Sequence, residues 1–344
     1  LGYDSLIIKG KGELNMNEAL VSLFNQIKGS QSFANRLIAN KMDLTQMRTN
    51  DVLLYDEWKA FDKAVITAYQ QRLTGVADLQ ARGLTYNIPN GMAKTVLGYQ
   101  DASDASDAEM SMSGKTRGRR DRLEFDMNYL PLPLTHKDFS IDLRQLEASR
   151  SGGMPIDTTM ATVCGQKIAE KVETTLFKGS STYTFGGGTI YGYEDEPNIT
   201  IGSLNAAWDD SATSGDNILD DIIRMKQAMI ADRCYGPYIV YIPTVYETAI
   251  DGDFKAASDK SIRQRILEIA NIAAVKVSDK MSSTKVIMVQ MTVDTIRLVN
   301  ALGITVVQWD VDGGMEVNFK VMAIQVPQTR HDQAGHCGIV VYSE

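Results

Sequence analysis

The chain has 344 residues, with 44% hydrophobic and 23% charged residues, enough apolar content for a sizeable core and too much for a wholly disordered chain. Its formal net charge of -8 argues against a protein that coats nucleic acid over most of its surface, because such surfaces are basic. Three widely spaced cysteines, Cys164, Cys234 and Cys337, form no CxxC and read as reduced or buried thiols, not a disulfide framework.

No apolar run approaches the roughly 20 residues that span a bilayer, so no membrane partner is expected. The opening "LGYDSLIIKGKGE" lacks the basic region and apolar core of a signal peptide. Residues 14–48 carry two short helical patterns separated by Gly29. Leu20, Phe24 and Ile27 share one face, and Phe33, Leu37 and Met42 share another. Such short helices are marginal alone, so residues 1–50 read as an arm whose partner is another chain. "LLYDEWKAFDKAVITAYQQRL", residues 53–73, is the first strong helical pattern, with Trp58, Phe61, Val65 and Tyr69 three and four apart. Pro89 and Asn90-Gly91 then mark turns before a strand.

Residues 101–122, "DASDASDAEMSMSGKTRGRRDR", offer only Met110 and Met112 as large apolar groups, which is long for a plain connection inside a compact domain. Beyond them Leu123, Phe125 and Met127 alternate with Glu124, Asp126 and Asn128, a strand pattern. Pro131 and Pro133 keep the following stretch extended and disfavour a central strand. Residues 96–140 together predict a two-armed excursion with a charged tip.

The clearest long helix lies in "MPIDTTMATVCGQKIAEKVETTLFKGS". Asp157 or Thr158 is placed to cap it. Met160, Cys164, Ile168, Val172 and Leu176 form an i,i+4 packing stripe with Val163 beside it, and Lys178-Gly179 closes it. Gly-rich turns and short strands follow. Residues 203–330 read as a compact α/β region. "NILDDIIRMKQAMIADRC" and "DKSIRQRILEIANI" are expected as helices. "PYIVYIPTVYETAI" begins as a strand. "TKVIMVQMTVDTIRLVNAL" reads as a strand running into a helix, and "TVVQWDVDGGMEVNFKVMAIQVP" as a hairpin. The last strand, in "HCGIVVYSE", is expected to return to an earlier sheet.

Catalytic and metal-binding patterns are weak. His331, His336 and Cys337 match no closed zinc spacing and lack a fourth ligand. "DVDGGMEVNFKV" opens like a calcium loop but ends on Val321 where a bidentate Glu belongs. "FGGGTIYG" lacks the ending of a phosphate loop. "EDEP", residues 194–197, reads as a solvated loop, and Cys164 as core packing. No nucleophile, base and orienting group assemble, so no catalytic residue, cofactor or metal is expected.

The charged tip carries more. Asp101, Asp104, Asp107 and Glu109 are followed by Lys115, Arg117, Arg119, Arg120 and Arg122. Arginine forks bind phosphates, but no aromatic is interleaved as a stacking platform and the acids before them repel phosphate. A solvated hairpin is the plain alternative. The preferred reading is reciprocal protein contact, one chain's basic tip meeting another's acidic patch, with charge setting register.

The order of these elements resembles that of the major capsid proteins of tailed bacteriophages, a fold shared with encapsulin shell proteins. The resemblance rests on the helix at 53–73, the excursion at 100–135, and "DFSIDLRQLEASRSGGMPIDTTMATVCGQKIAEKVETTLFKGSS" at 138–181, where "AEKVETTLFKG" followed by "GGGTIYGY" is similar to the family's spine-helix ending. It implies an α+β fold with an N-terminal arm at 1–50, a peripheral domain from 51–99, 136–202 and late strands holding a spine helix at 157–178, an extended loop at 100–135, an axial domain at 203–330, and a C-terminal strand within 331–344, expected to return to an earlier sheet. It also implies self-assembly into pentamers and hexamers of an icosahedral head. Scaffold, portal and decoration proteins would be partners, with double-stranded DNA enclosed through weak, non-specific contact, and the virion as location after assembly in the host cytoplasm. Arg119, Arg120 and Arg122 are then the preferred intersubunit contacts. An encapsulin-like compartment around protein cargo is the first alternative, and an α/β enzyme with a charged lid the second.

Overall fold

A computed structural model describes residues 63–66, 74–102, 125–142, 158–210, 213–255, 260–311, 315–332 and 335–344, together with residues 110, 112, 115, 122 and 144. The arm at 1–50 and most of the 53–73 helix lie outside the described residues. The part within them, residues 63–66, is helical and buries Val65.

The longest helix, α2 (Thr159–Lys178), follows α1 (Thr74–Ala81) in the described chain. Cys164, Ile168, Val172 and Leu176 of α2 are buried, joined by Ala161, Gly165, Ala169, Glu173 and Phe177. Met160 departs from the stripe. It is 51% exposed, and Val163 is exposed as well. At 3.6 residues per turn a step of four overshoots a full turn by about 40°, so a five-residue i,i+4 row drifts out of the core at one end. Thr158 occupies the N-cap position, but its side chain makes no capping bond. Its carbonyl instead accepts from the Thr162 amide and hydroxyl. Gly179, at φ 63°, ends the helix and donates to the Thr175 carbonyl.

Two sheets build the body. The first has the order β1-β11-β12-β4, from β1 (Thr85–Asn87), β4 (Thr135–Asp142), β11 (Ile296–Val311) and β12 (Glu316–Thr329). The second has the order β7-β13-β10-β8-β9, from β7 (Thr200–Ser203), β8 (Tyr238–Pro243), β9 (Ile272–Ser278), β10 (Lys285–Gln290) and β13 (Ile339–Ser343). The C-terminal strand β13 enters between β7 and β10, parallel to the first and antiparallel to the second.

The second sheet is buried on both faces, and strand alternation decides which core each residue joins. Ile239 and Tyr241, Ile287 and Val289, and Ile339 and Val341 join α2 and the first sheet in one core. Tyr238, Val240 and Ile242, Val286 and Met288, and Val340 and Tyr342 face a second core. Ile218, Ile222, Met225 and Met229 of α3 (Gly215–Ala231), Ile250 of α4 (Glu247–Asp251) and two isoleucines of α5 (Ile262–Leu267) close that core. Ser214 caps α3, and Ser261 with Gln264 forms a capping box on α5.

Two expectations change. "VDTIRLVNAL" is not helical: Ile296 onward is β11, a 16-residue strand. Ile296 and Leu298 face α2 while Val299 and Ala301 face a third core on the sheet's other side. A strand buried on both faces shows no period of two, and its apolar spacing then imitates a helix. The span 203–330 is also divided between sheets. Residues 203–290 build the second sheet and its helices, whereas β11 and β12 belong to the first, beside β4 and under α2.

Candidate functional site

The excursion predicted at 96–140 begins as a two-stranded antiparallel ribbon of β2 (Val96–Ala102) and β3 (Phe125–Pro131), in register from Val96–Pro131 to Ala102–Phe125. Its root is apolar. Leu130, Leu132, Leu97 and Tyr99 pack with Ile88, Ile190, Val299, Ala301, Ile324 and Val326 on the face of the first sheet opposite α2.

Away from the root the ribbon turns an apolar row outward. Phe125, Met127 and Tyr129 are 58%, 50% and 44% exposed. Over 125–128 the alternation therefore marks an apolar face, and in the single chain that face meets solvent; residues 123 and 124 lie outside the described residues. Gly98, opposite Tyr129, leaves room for the Met127 and Tyr129 side chains across the ribbon. A second hairpin, β5 (Ser180–Phe185) with β6 (Gly188–Ile190), lies beside β3 and adds exposed Tyr183 and Phe185. Gly188 sits so close that a Cβ there would overlap the Tyr129 carbonyl. A row of large apolar side chains on paired strands is the kind of surface that monomers seldom expose and interfaces use.

The charged tip lies largely outside the described residues: Asp104, Asp107, Glu109, Arg117, Arg119 and Arg120 are not among them. Lys115 and Arg122 are exposed, as are Met110 and Met112. Asp101 departs from its expected role as a surface contact. It is buried within its own chain and accepts a short hydrogen bond from the Asn128 side-chain amide across the ribbon. It stands opposite Asp126, one position from the outer end of the described ribbon, and there the carboxylate serves the chain's own fold. Burial, with Asp101 and Glu196 nearby, pushes the Tyr99 hydroxyl up to about 12.

"EDEP" is not a solvated loop. Glu194 accepts from the Ser282 amide at 2.8 Å and hydroxyl at 2.6 Å and pairs with Lys285 at 3.2 Å. Asp195 accepts from the Gly192 amide at 2.6 Å. Glu196 is buried and accepts from the Thr329 hydroxyl. Burial raises both the Asp195 and Glu196 carboxyls above their usual range. Three consecutive acids thus tie α2's exit to both sheets. Local composition does not distinguish such anchors from solvent-facing acids, because their partners lie 88 and 133 residues away.

The described residues do not assemble a reaction centre. They contain no group of three or more His, Cys, Asp and Glu able to hold a metal ion. His336 bonds Asp332 at 2.7 Å, while Cys337 is buried and pairs in a single β-bridge with His331. Burial raises the thiols of Cys164, Cys234 and Cys337, the opposite of what a nucleophile requires. No described helix is long and apolar enough to cross a membrane.

A family model described as a family of unknown function, DUF6260, matches residues 47–343. Among solved structures the chain is similar to a virus-like particle from Pyrococcus furiosus, with a TM-score of 0.61 at 16% identity over 84% of this chain and 99% of that one. It is similar to the capsid of Myoviridae phage XM1, with a TM-score of 0.61 at 11% identity over 78% of this chain and 92% of that one. The capsid of an empty GTA particle matches at a TM-score of 0.52 and 13% identity, over 79% and 90% of the two chains. The fold is the α+β fold of the phage-capsid and encapsulin type.

Proposed function

The chain belongs to the DUF6260 family, and from its fold we propose that it is a structural shell protein, the major capsid protein of a phage head. The observation that carries this reading is the ribbon β2–β3. It leaves the body with a buried root and an exposed row of Phe125, Met127 and Tyr129. Isolated two-stranded ribbons are marginal in water, and covering that row with a neighbouring copy removes apolar surface from solvent at about 25 cal/mol per Å².

In this reading the first sheet with α2 is the peripheral domain and α2 its spine helix. The second sheet with α3, α4 and α5 is the axial domain, whose tips gather into pentamers and hexamers. The arm at 1–50 and the loop at 100–135 lie across neighbours, with Asp104, Asp107, Glu109, Lys115, Arg117, Arg119, Arg120 and Arg122 as intersubunit contacts. Scaffold, portal and decoration proteins are the further partners. The shell assembles in the host cytoplasm and ends in the virion. Its net charge of -8 keeps contact with enclosed double-stranded DNA weak and non-specific.

A compartment enclosing protein cargo is the second reading, supported by the match to the virus-like particle that covers 99% of that chain. The test is expression of the full chain, with and without a neighbouring scaffold gene product, followed by size-exclusion chromatography and negative-stain microscopy. Closed particles are expected, and monomers or dimers under every condition would overturn the proposal. Nuclease-protected DNA inside particles from infected cells separates a phage head from a cargo compartment.

A further inference from the structure

The long helix α2 keeps one ridge in solvent. Met160, Val163, Lys167, Lys171 and Lys178 follow one another at steps of three, four, four and seven, which sets them in one row on the side away from the buried stripe. All five are exposed, and half-buried Thr174 fills the row between Lys171 and Lys178. The row begins apolar and continues basic. Lys167 reaches Glu170 at 3.0 Å, an exposed pair of little strength, while Lys171 and Lys178 pair with no described acid. Glu170 is shared with Lys280 of the second sheet at 3.8 Å, so the acid beside the row is already matched. The helix also opens with no acidic residue in its first turn and no side-chain cap, which leaves the positive pole of its dipole at the apolar end.

An apolar patch that runs into lysines is complemented by an apolar patch that runs into acids, and the excursion carries one. Asp104, Asp107 and Glu109 precede Met110 and Met112. Both methionines stand almost wholly in solvent, so the single chain does not bury them. The spacings agree. Along the helix, Lys167 and Lys171 lie roughly 10 Å and 16 Å from Met160 at 1.5 Å per residue. In extended chain, Asp107 and Asp104 lie roughly 10 Å and 20 Å from Met110. The basic arm of the excursion, Lys115 to Arg122, is kept off this row by like charge. The chain's own acidic arm is badly placed to reach it. The ribbon root packs on the face of the first sheet opposite α2. The paired positions from Val96 to Ala102 then carry the chain roughly 20 Å along the ribbon from that root.

We propose that the solvent ridge of α2 seats the acidic arm of the excursion, residues 104–112, from a second copy of this chain. The inference rests on the shell reading above and deepens it by naming the surface that receives the loop. Met110 and Met112 cover Met160 and Val163, while Asp104, Asp107 and Glu109 meet Lys167 and Lys171. Methionine is unbranched and polarizable, which lets such apolar contacts adjust to each other. A nucleic-acid backbone fits the row less well, because it would engage the lysines and leave Met160 and Val163 in water.

The test begins with particles assembled from equal parts of ¹⁴N- and ¹⁵N-labelled chain and treated with a carbodiimide, which joins a lysine amine to a carboxylate in direct contact. Mixed-isotope peptides linking Lys167 or Lys171 to Asp104, Asp107 or Glu109 are expected. Links to these acids within one copy only, or no link at all, would overturn the proposal. Lys167→Glu with Lys171→Glu changes exposed groups, so the unassembled chain keeps its fold by circular dichroism, and particle yield falls about tenfold or more. Adding Asp104→Lys and Asp107→Lys to the same chain restores the yield. Wild-type yield from the first variant, or no rescue by the second, overturns the proposal. Normal assembly with loss of co-purifying DNA does so too and assigns the ridge to phosphate. Failure of the unmodified chain to form particles refutes the shell reading and this proposal with it, whereas particles lacking the links refute the proposal alone.

Discussion

The Glu173 carboxylate in α2 accepts a hydrogen bond from the Gly75 backbone amide at 2.8 Å, across 98 residues of sequence. Its second oxygen accepts from the Val76 amide at 3.3 Å. These amides open α1, where no intrahelical acceptor exists and the helix dipole favours negative charge. Glycine at 75 is required by the close approach, since a Cβ would stand 2.7 Å from Leu176 Cδ2. The latch holds α1 against α2 beneath the first core.

That latch makes stability depend on pH. Burial is the largest influence on Glu173 and pushes its carboxyl up to about 7, against the backbone bonds that lower it, with Asp279 adding a smaller upward push. A folded-state value above the unfolded one means the native chain holds the proton longer. Stability therefore falls as pH rises between about 4.5 and 7, by an amount on the order of 3 kcal/mol for a shift of this size. Urea unfolding of the unassembled chain across that range checks this. Glu173→Gln is expected to flatten this part of the slope, and an unchanged slope would refute the assignment.

Asp221, fully buried in α3, accepts from Trp208 Nε1 at 2.9 Å and from the Asn205 amide at 3.0 Å, and it pairs with Arg224. Asp221→Ala strands the buried Trp208 and Asn205 donors and is expected to cost about 2–4 kcal/mol, while Arg224, 39% exposed, keeps Asp220 as a partner. Chemical denaturation followed by tryptophan fluorescence gives the value. A loss below about 1 kcal/mol would show that the network is dispensable.

Gly188→Ala drives a methyl group into the Tyr129 carbonyl. The β5–β6 hairpin must then lift from the ribbon, at a cost of about 1–3 kcal/mol. Thermal unfolding of the chain measures the loss, and comparison with Gly83→Ala, where a Cβ meets nothing within 4 Å, separates crowding from the strain of a positive φ.

The apolar row predicts a split between folding and assembly. Phe125→Ser with Met127→Ser removes exposed side chains, so the unassembled chain should unfold within about 0.5 kcal/mol of wild type. Particle formation should fall sharply. Reversal of Arg119, Arg120 and Arg122 to Glu is expected to do the same by charge. Sedimentation of assembly reactions tests both, and normal shells with normal salt resistance would remove these residues from the interface.

Local spacing in the sequence was enough to place α2 and its buried stripe from Cys164 to Leu176, the Gly179 stop and the alternation through Phe125 and Met127, though not its continuation at Tyr129. Each signal lies within one element and repeats at that element's own period. Which face is covered was not legible. Met160 fits the stripe's spacing yet points away from the core, and Phe125 and Met127 form an apolar row that the single chain leaves in solvent. β11 misled for a related reason: with both faces buried, it shows no alternation to read.

The fates of the charged groups were decided only by tertiary structure. Glu173, Glu194 and Glu196 look like surface acids in sequence, and Arg297 and Arg330 look like surface bases. Their burial follows from contacts that span from 31 residues, for Arg297 with Gln328, to 133, for Glu196 with Thr329. Helical and strand periods are written by neighbours a few residues apart, so the sequence determined the elements. Partners that distant are chosen by how the sheets stack, and no local pattern records that choice.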